Sequence, residues 1–167
     1  MTLEQLYEIA QSKGIEIDNV EMKALRAVAF PEGWIAIDRG KFKSDTEYKC
    51  ILAHEIGHCQ TGSFYNIHTH VREKELRERQ ANRSAAEMLV PLGELRKAMT
   101  RGISFNRILA RMFDVTLEFI NMVLELFEYE VMCFMREFTN RTTALTSNHH
   151  YFMNLVRSNI YNQEGIT

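Results

Sequence analysis

The chain has 167 residues, of which 46% are hydrophobic and 25% are charged, and its formal net charge is −2. This length and composition predict one soluble globular domain with a sizeable hydrophobic core. The near-neutral charge argues against a broad electrostatic surface for nucleic acid. No stretch of about 18 uncharged apolar residues occurs, so we predict no membrane-spanning helix.

The cysteines indicate a reducing compartment. The chain has an odd number of cysteines, Cys50, Cys59 and Cys133, and their spacing is not that of a disulfide framework. The first residues, Met1-Thr-Leu-Glu-Gln-Leu, are amphipathic and lack the basic and then apolar pattern of an export signal. We therefore expect free thiols and a cytoplasmic location.

The N-terminal part predicts a helix followed by a small sheet. Thr2 and Gln5 have the spacing of a capping box at the start of a helix over residues 2–13, and Gly14 stops it. Alternating or β-branched residues separated by turn signals then predict three strands joined by short connections. We expect a mostly antiparallel sheet built from residues 15–20, 25–30 and 34–38.

The central helix carries the main chemical signal. Ser44 opens it, with Glu47 as a capping-box partner, and it contains His54-Glu55-Ile56-Gly57-His58, an H-E-x-x-H motif. Residues i and i+4 of a helix share one face, so the two imidazoles can bind one Zn²⁺. Glu55 between them can act as general base. Gly57 removes a side chain where another backbone can approach closely.

A second helix, over residues 71–89, supplies a third ligand. Its first turns are heavily charged, and most of these residues are expected to face water. Glu78 differs, because it lies on the same face as Ala81 and Ala85, which must pack inward. A carboxylate there is costly unless it is paired or bound to metal. We predict a His₂Glu zinc site from His54, His58 and Glu78 with water in the fourth position. Asn82, one turn later, is predicted to hydrogen-bond the outer nitrogen of a ligand histidine.

The C-terminal part predicts more helices. They cover residues 92–100, residues 105–113 with Ser104 as cap, and a long apolar helix over about residues 117–138. The segment 108–124 has the outline of a helix-turn-helix, but its second helix is acidic, which argues against direct nucleic-acid binding.

The end of the chain is set apart by its composition. We assign residues 1–138 to one domain and residues 139–167 to a C-terminal extension of unknown role. The pair His149 and His150 is expected to be a polar surface feature rather than a metal site. A short helix near residues 151–161 has apolar residues that leave open a homo-oligomer formed through the C-terminal region.

The sequence resembles one family. The motif His54 to His58, followed by Glu78-Arg-Gln-Ala-Asn82 and a helix that closes on Leu-Val-Pro91, is similar to the ImmA/IrrE-type metallopeptidases. The resemblance covers about residues 1–127. It implies a minimal gluzincin-like fold, with zinc ligands at His54, His58 and Glu78 and the catalytic glutamate at Glu55. It also implies an association with phages or mobile elements, and a transcriptional repressor as the protein substrate.

The expected architecture is therefore α+β, with the three-stranded sheet packed on a helical bundle that carries the H-E-x-x-H helix. The leading hypothesis is an intracellular zinc endopeptidase that binds an extended peptide along the sheet edge near residues 34–38. Tyr65, His68 and His70 are the candidates for stabilising the oxyanion. The alternative is a weakly catalytic or non-catalytic zinc protein that regulates a repressor-like partner by binding it.

Overall fold

A computed structural model of the chain describes residues 1–142. A sheet of three short strands lies against a set of α-helices, which confirms the predicted α+β class. The elements are α1 (Leu3–Ser12), β1 (Glu16–Asn19), β2 (Ala27–Phe30), β3 (Trp34–Ile37), α2 (Asp45–Thr61), α3 (Val71–Leu89), α4 (Leu92–Thr100), α5 (Asn106–Phe113), α6 (Leu117–Leu126) and α7 (Glu128–Thr142). The predicted helix at 151–161 and the pair His149 and His150 lie outside the described residues.

Local signals set both ends of α1 as predicted. The Thr2 hydroxyl accepts a hydrogen bond from the Gln5 backbone N–H, and the Gln5 side chain accepts one from the Thr2 N–H. This reciprocal pair satisfies two of the N–H groups that have no partner inside the helix. Gly14 then adopts a positive φ of 68° and turns the chain into β1.

The sheet is mixed, with the order β1-β3-β2. The antiparallel pair joins β2 to β3, with Ala27 opposite Ile37, whereas β1 runs parallel to β3, with Glu16 opposite Trp34. The prediction of a mostly antiparallel sheet is therefore wrong for one of its two pairings. The reason is that residues 20–26 do not form a hairpin, and β1 instead pairs with the strand that comes after β2.

This order also changes which strand has a free edge. β3 is hydrogen-bonded on both sides, so the predicted docking of a peptide near residues 34–38 is wrong. The two outer strands, β1 and β2, are the edge strands, and α2 packs against β2. Any peptide that extends the sheet on this side pairs with β2.

The core lies between the sheet and α2. Leu6 and Ala10 of α1, together with Ile35 and Ile37 of β3, are almost fully buried in the same apolar cluster as α2. α2 is buried along much of its length, including Leu52 and Ile56, as expected for a helix enclosed on several sides. α2 is therefore held rigidly at the centre of the fold.

α2 and α3 pack at very short range. A Cβ atom added to Gly57 would lie 2.5 Å from the backbone oxygen of Ala81, closer than real Cβ contacts allow. This confirms that Gly57 is the point of close backbone approach. Ala81 and Ala85 are fully buried on the facing side of α3, where larger side chains would separate the helices.

Two predictions for the C-terminal helices are wrong. Phe105, rather than Ser104, precedes α5 as its N-cap residue, and it makes no side-chain capping bond. The long helix predicted over about residues 117–138 is two helices that meet at Phe127, which is buried. The apolar pattern continues through this break, so the sequence gives no signal of it. Among the described residues, no helix is both long enough and apolar enough to cross a membrane.

Candidate metal centre

Three potential ligand atoms converge between α2 and α3. The Nε2 atoms of His54 and His58 are 3.0 Å apart, and a Glu78 carboxylate oxygen lies 3.5 Å from each of them. One ligand atom from each of the three residues fits within a 4.8 Å span. The structure therefore brings together the three side chains that the sequence predicted as metal ligands.

Local structure places both histidines on one face of α2. The Ser44 hydroxyl caps the helix by accepting from the Glu47 N–H. The Glu47 carboxylate, however, accepts from the Lys43 N–H and pairs with Arg26, so the predicted reciprocal bond of a capping box is shifted by one residue. The helix continues unbroken through the motif, and the i, i+4 spacing aligns the two rings.

A turn at the end of α2 fixes His58. Gly62 is in the left-handed conformation, with φ 63°, and returns the chain toward the last helical turn. The Nδ1 atom of His58 then lies 2.8 Å from the Ser63 carbonyl oxygen and 3.0 Å from the Ser63 hydroxyl. A carbonyl oxygen only accepts hydrogen bonds, so Nδ1 carries a hydrogen, and in the neutral ring Nε2 then has a free lone pair.

His54 is oriented by Asn82, as predicted. The Nδ1 atom of His54 lies 2.8 Å from the side-chain oxygen of Asn82. With the oxygen in this position the bond again assigns the hydrogen to Nδ1, which leaves the His54 Nε2 lone pair free. α3 thus supplies both Glu78, which faces the two histidines, and the residue that holds His54.

These tautomers make the cluster suitable for a cation. Two Nε2 lone pairs at 3.0 Å repel each other, and the nearby Glu78 carboxylate adds negative charge. A shared proton or a bound cation relieves that repulsion. Two imidazole nitrogens with one carboxylate oxygen form a donor set suited to Zn²⁺, so the residues present fit a zinc ion.

The Glu78 carboxylate is held in its charged form. When the His58 ring takes up a second proton, at Nε2, it donates to Glu78, and this hydrogen bond lowers the pKa of Glu78 to about 2 against the opposing effect of burial. The Tyr65 hydroxyl contributes a second hydrogen bond. Burial and this bond raise the pKa of Tyr65 to about 12, so its hydroxyl remains protonated and donates. Of the three oxyanion candidates, Tyr65 lines the cleft beside the histidines. His68 and His70 do not line it, and His70 instead caps α3.

Burial also affects the pKa values of His54, His58 and Glu55. Burial lowers the pKa of His54, and the nearby His58 lowers it further. For His58 the hydrogen bond to Glu78 and other contacts outweigh burial, so its pKa lies above the usual value. Glu55 is 8% exposed, and burial raises its pKa to about 7 although His58 opposes the change.

An open cleft of about 420 Å³ gives access to the cluster. One wall is β2 with the residues before it, and the other is the loop between α2 and α3. His54, Glu55, His58 and Glu78 all line this cleft. A second cavity, of about 600 Å³, adjoins His54 from the side of Asn82 and the N-terminus of α2. His54 is the one residue that lines both cavities.

Two functional features were missed in the sequence. Ser63 is fully buried and orients His58, and the signal for it was Gly62, because a glycine just after a helix turns the next residue back onto the last turn. The position of β2 beside Glu55 was also missed. No local signal reveals it, since it depends on the long-range pairing of β1 with β3.

Comparison with known proteins adds the family. A family model described as Peptidase_M78, IrrE N-terminal-like domain, matches residues 18–125, which is more than half of the chain. The chain belongs to the Peptidase_M78 family. Neither the comparison with curated proteins nor that with solved structures found a match.

Membership in Peptidase_M78 confirms the resemblance to the ImmA/IrrE group and indicates a function of the metallopeptidase type. The matched region extends from β1 into α6. It contains the cluster of His54, His58 and Glu78, which fits a bound metal ion. The C-terminal part beyond residue 125 lies outside the match.

Proposed function

We propose that the protein is a zinc-dependent endopeptidase in which His54, His58 and Glu78 bind the metal and Glu55 is the general base. One observation carries the proposal. Two histidine lone pairs and a carboxylate converge at an open cleft, and the Glu55 carboxylate lines the same cleft. The family supports peptide-bond hydrolysis as the reaction.

The metal ion and the side chains of the protein have different roles in the proposed reaction. A bound Zn²⁺ supplies Lewis acidity, which polarises a carbonyl oxygen and acidifies water. Glu55 accepts a proton from the water that attacks the scissile carbonyl carbon, and then gives it to the leaving amine as the C–N bond breaks. Ser63 and Asn82 keep both histidines in the tautomer that directs Nε2 into the site.

The substrate backbone is proposed to pair with β2. The Asp38 N–H donates to the Arg26 carbonyl, so Arg26 is hydrogen-bonded to its partner across the antiparallel pair. From that point, residues that are hydrogen-bonded to β3 alternate along β2 with residues that are not. Ala27 and Ala29 therefore direct their backbone groups away from β3. The Ala29 N–H donates to Glu55, so the residue proposed as the base lies at this edge. A peptide that extends β2 would bring its backbone past Glu55 and the histidine pair.

The substrate and the cellular setting are further proposals. A regulatory protein such as a transcriptional repressor, in a phage or mobile-element setting, is proposed by analogy with the family alone. A cytoplasmic location agrees with the three free cysteines, Cys50, Cys59 and Cys133.

A Glu55→Gln variant tests the proposal. It removes the base and leaves the three proposed ligands, so we expect metal content equal to wild type and a loss of proteolysis of about 10²-fold or more. The measurements are metal analysis of the purified protein and cleavage of an unfolded, fluorescence-quenched protein substrate after zinc loading. Full cleavage by Glu55→Gln would contradict the peptidase assignment. Repressor regulation that survives this substitution would favour the alternative, a zinc protein that acts by binding its partner.

A further inference from the structure

The mouth of the cleft carries large apolar side chains with little cover. Ile67 is 92% exposed and Leu25 is 54% exposed, and both line the cleft that holds His54, Glu55 and Glu78. Single exposed apolar residues are normal on protein surfaces. Here, however, two of them, from different segments, line the same cleft as the metal cluster. This arrangement indicates a surface that a ligand covers.

The loop that carries Ile67 is held by its own hydrogen bonds. The Thr69 N–H donates to the Asn66 carbonyl, and the Asn66 N–H donates to the Thr69 hydroxyl. The Asn66 side chain in turn accepts from the His68 N–H. These bonds form a closed turn with Ile67 near its tip. The isoleucine is thus presented outward by a defined turn.

Leu25 is fixed on the opposite wall. The Lys41 ammonium donates to the carbonyls of Lys23 and Leu25, at 3.0 and 2.9 Å. These bonds anchor the segment that leads into β2. Ala27 and Ala29 follow, and both line the cleft. The cleft therefore has apolar side chains on both walls, with open volume between them.

We propose that Leu25 and Ile67 form a binding subsite for one large apolar side chain of an extended polypeptide substrate, near the bond that is cut. The inference rests on the proposed function, because it assigns the position of that side chain relative to Glu55. The subsite and the outer edge of β2 belong to one cleft, so a single bound peptide reaches both. Covering the two exposed residues removes apolar surface from water and favours leucine, isoleucine, methionine or phenylalanine there.

Profiling with peptides tests the subsite. The zinc-loaded protein is incubated with a library of synthetic unstructured peptides, and the cleaved bonds are identified by mass spectrometry. We compare wild type with Leu25→Glu and Ile67→Glu. The matched control is Leu76→Glu, because Leu76 is 56% exposed on α3 and does not line the cleft. All three positions are exposed, so the substitutions should leave folding and metal content unchanged.

We expect the wild type to prefer large apolar residues at one fixed position relative to the cut. Leu25→Glu and Ile67→Glu should lower kcat/KM for such peptides about tenfold. The residues preferred at that position should change from large apolar ones to lysine and arginine. Leu76→Glu should match the wild type. A wild-type profile with no apolar preference at any position would overturn the subsite, as would equal effects of Leu25→Glu and Leu76→Glu.

A binding measurement separates this inference from the proposed function. If the zinc-loaded wild type cleaves no peptide, the peptidase assignment fails, and the same library is then selected for binding to the wild-type protein. Bound peptides enriched in large apolar residues, with the enrichment lost in Leu25→Glu, would support the subsite as a binding feature. Selection without such enrichment would overturn it.

Discussion

Gly57 and Ala81 bring the backbones of α2 and α3 into contact, since a Cβ atom at position 57 would lie 2.5 Å from the Ala81 carbonyl oxygen. Gly57 directly precedes His58, and Ala81 lies one turn after Glu78. The separation of the two helices, and with it the distance across the ligand cluster, is therefore limited by the backbones rather than by side chains.

Gly57→Ala should disrupt this contact. The added methyl group forces the helices apart, and we expect a loss of about 1–3 kcal/mol in the free energy of unfolding, together with weaker metal binding. Gly93→Ala is the matched control, because Gly93 also lies in a helix and has no atom within 4 Å of the added Cβ. It should keep or raise stability by up to about 1 kcal/mol. Denaturant unfolding and metal titration give both values, and equal stability in the two variants would contradict the close contact.

Glu78→Ala should abolish stable metal binding. Only the two histidines remain as ligands, so we expect the zinc affinity to fall by more than about 100-fold. Removing a residue that only hydrogen-bonds a ligand costs up to about 100-fold, and losing the ligand itself should cost more. Glu75→Ala is the control, since Glu75 is an exposed carboxylate on the same helix. Zinc titration against a competing chelator measures both. Undiminished zinc binding in Glu78→Ala would exclude Glu78 as the third ligand.

Asn82→Ala should weaken the site without removing a ligand. His54 loses the acceptor for its Nδ1–H, so the ring no longer has a fixed orientation, and we expect zinc affinity to fall about 10–100-fold. Asn82→Asp retains an oxygen acceptor and should restore most of the binding. If both variants bind zinc as weakly as each other, the loss would reflect packing rather than the hydrogen bond to His54.

The pair of Lys49 and Asp114 should make stability depend on pH. Lys49 is buried and donates to Asp114, which lowers the pKa of that carboxyl below its ordinary 3.8. The folded-state pKa is depressed, so the stabilisation is present above the unfolded pKa and is lost as pH falls through the folded one. Asp114→Asn preserves the left-handed backbone at φ 51°, which asparagine tolerates.

We expect Asp114→Asn to cost about 1 kcal/mol near neutral pH, at the low end for a hydrogen bond to a charged group because Asp114 is largely exposed. Its free energy of unfolding should vary less than that of wild type below pH 3.8. Chemical unfolding at a series of pH values measures this. Parallel pH profiles for the two proteins would show that Asp114 does not contribute to the acid response.

The sequence predicted the parts of the site that depend on local periodicity. The i, i+4 spacing placed His54 and His58 together, and the inward face of α3 identified Glu78 and Asn82. The role of Ser63 depends on the backbone turn at Gly62, which a side-chain pattern does not display. The parallel pairing of β1 with β3 is a long-range choice with no local code, so the free edge was assigned to the wrong strand. The break at Phe127 lies within continuous apolar spacing, which predicts one helix.

The strand order also has a consequence for how the molecule assembles. β2 and β3 are joined by a short turn, and α2 and α3 follow, so the cleft is built from consecutive parts of the chain. β1 lies on the other side of β3 from β2, so it can pair only once β3 is available. We therefore expect α1 and β1 to dock after β2 and β3 have paired, because the turn between β2 and β3 closes a much shorter loop than the one between β1 and β3.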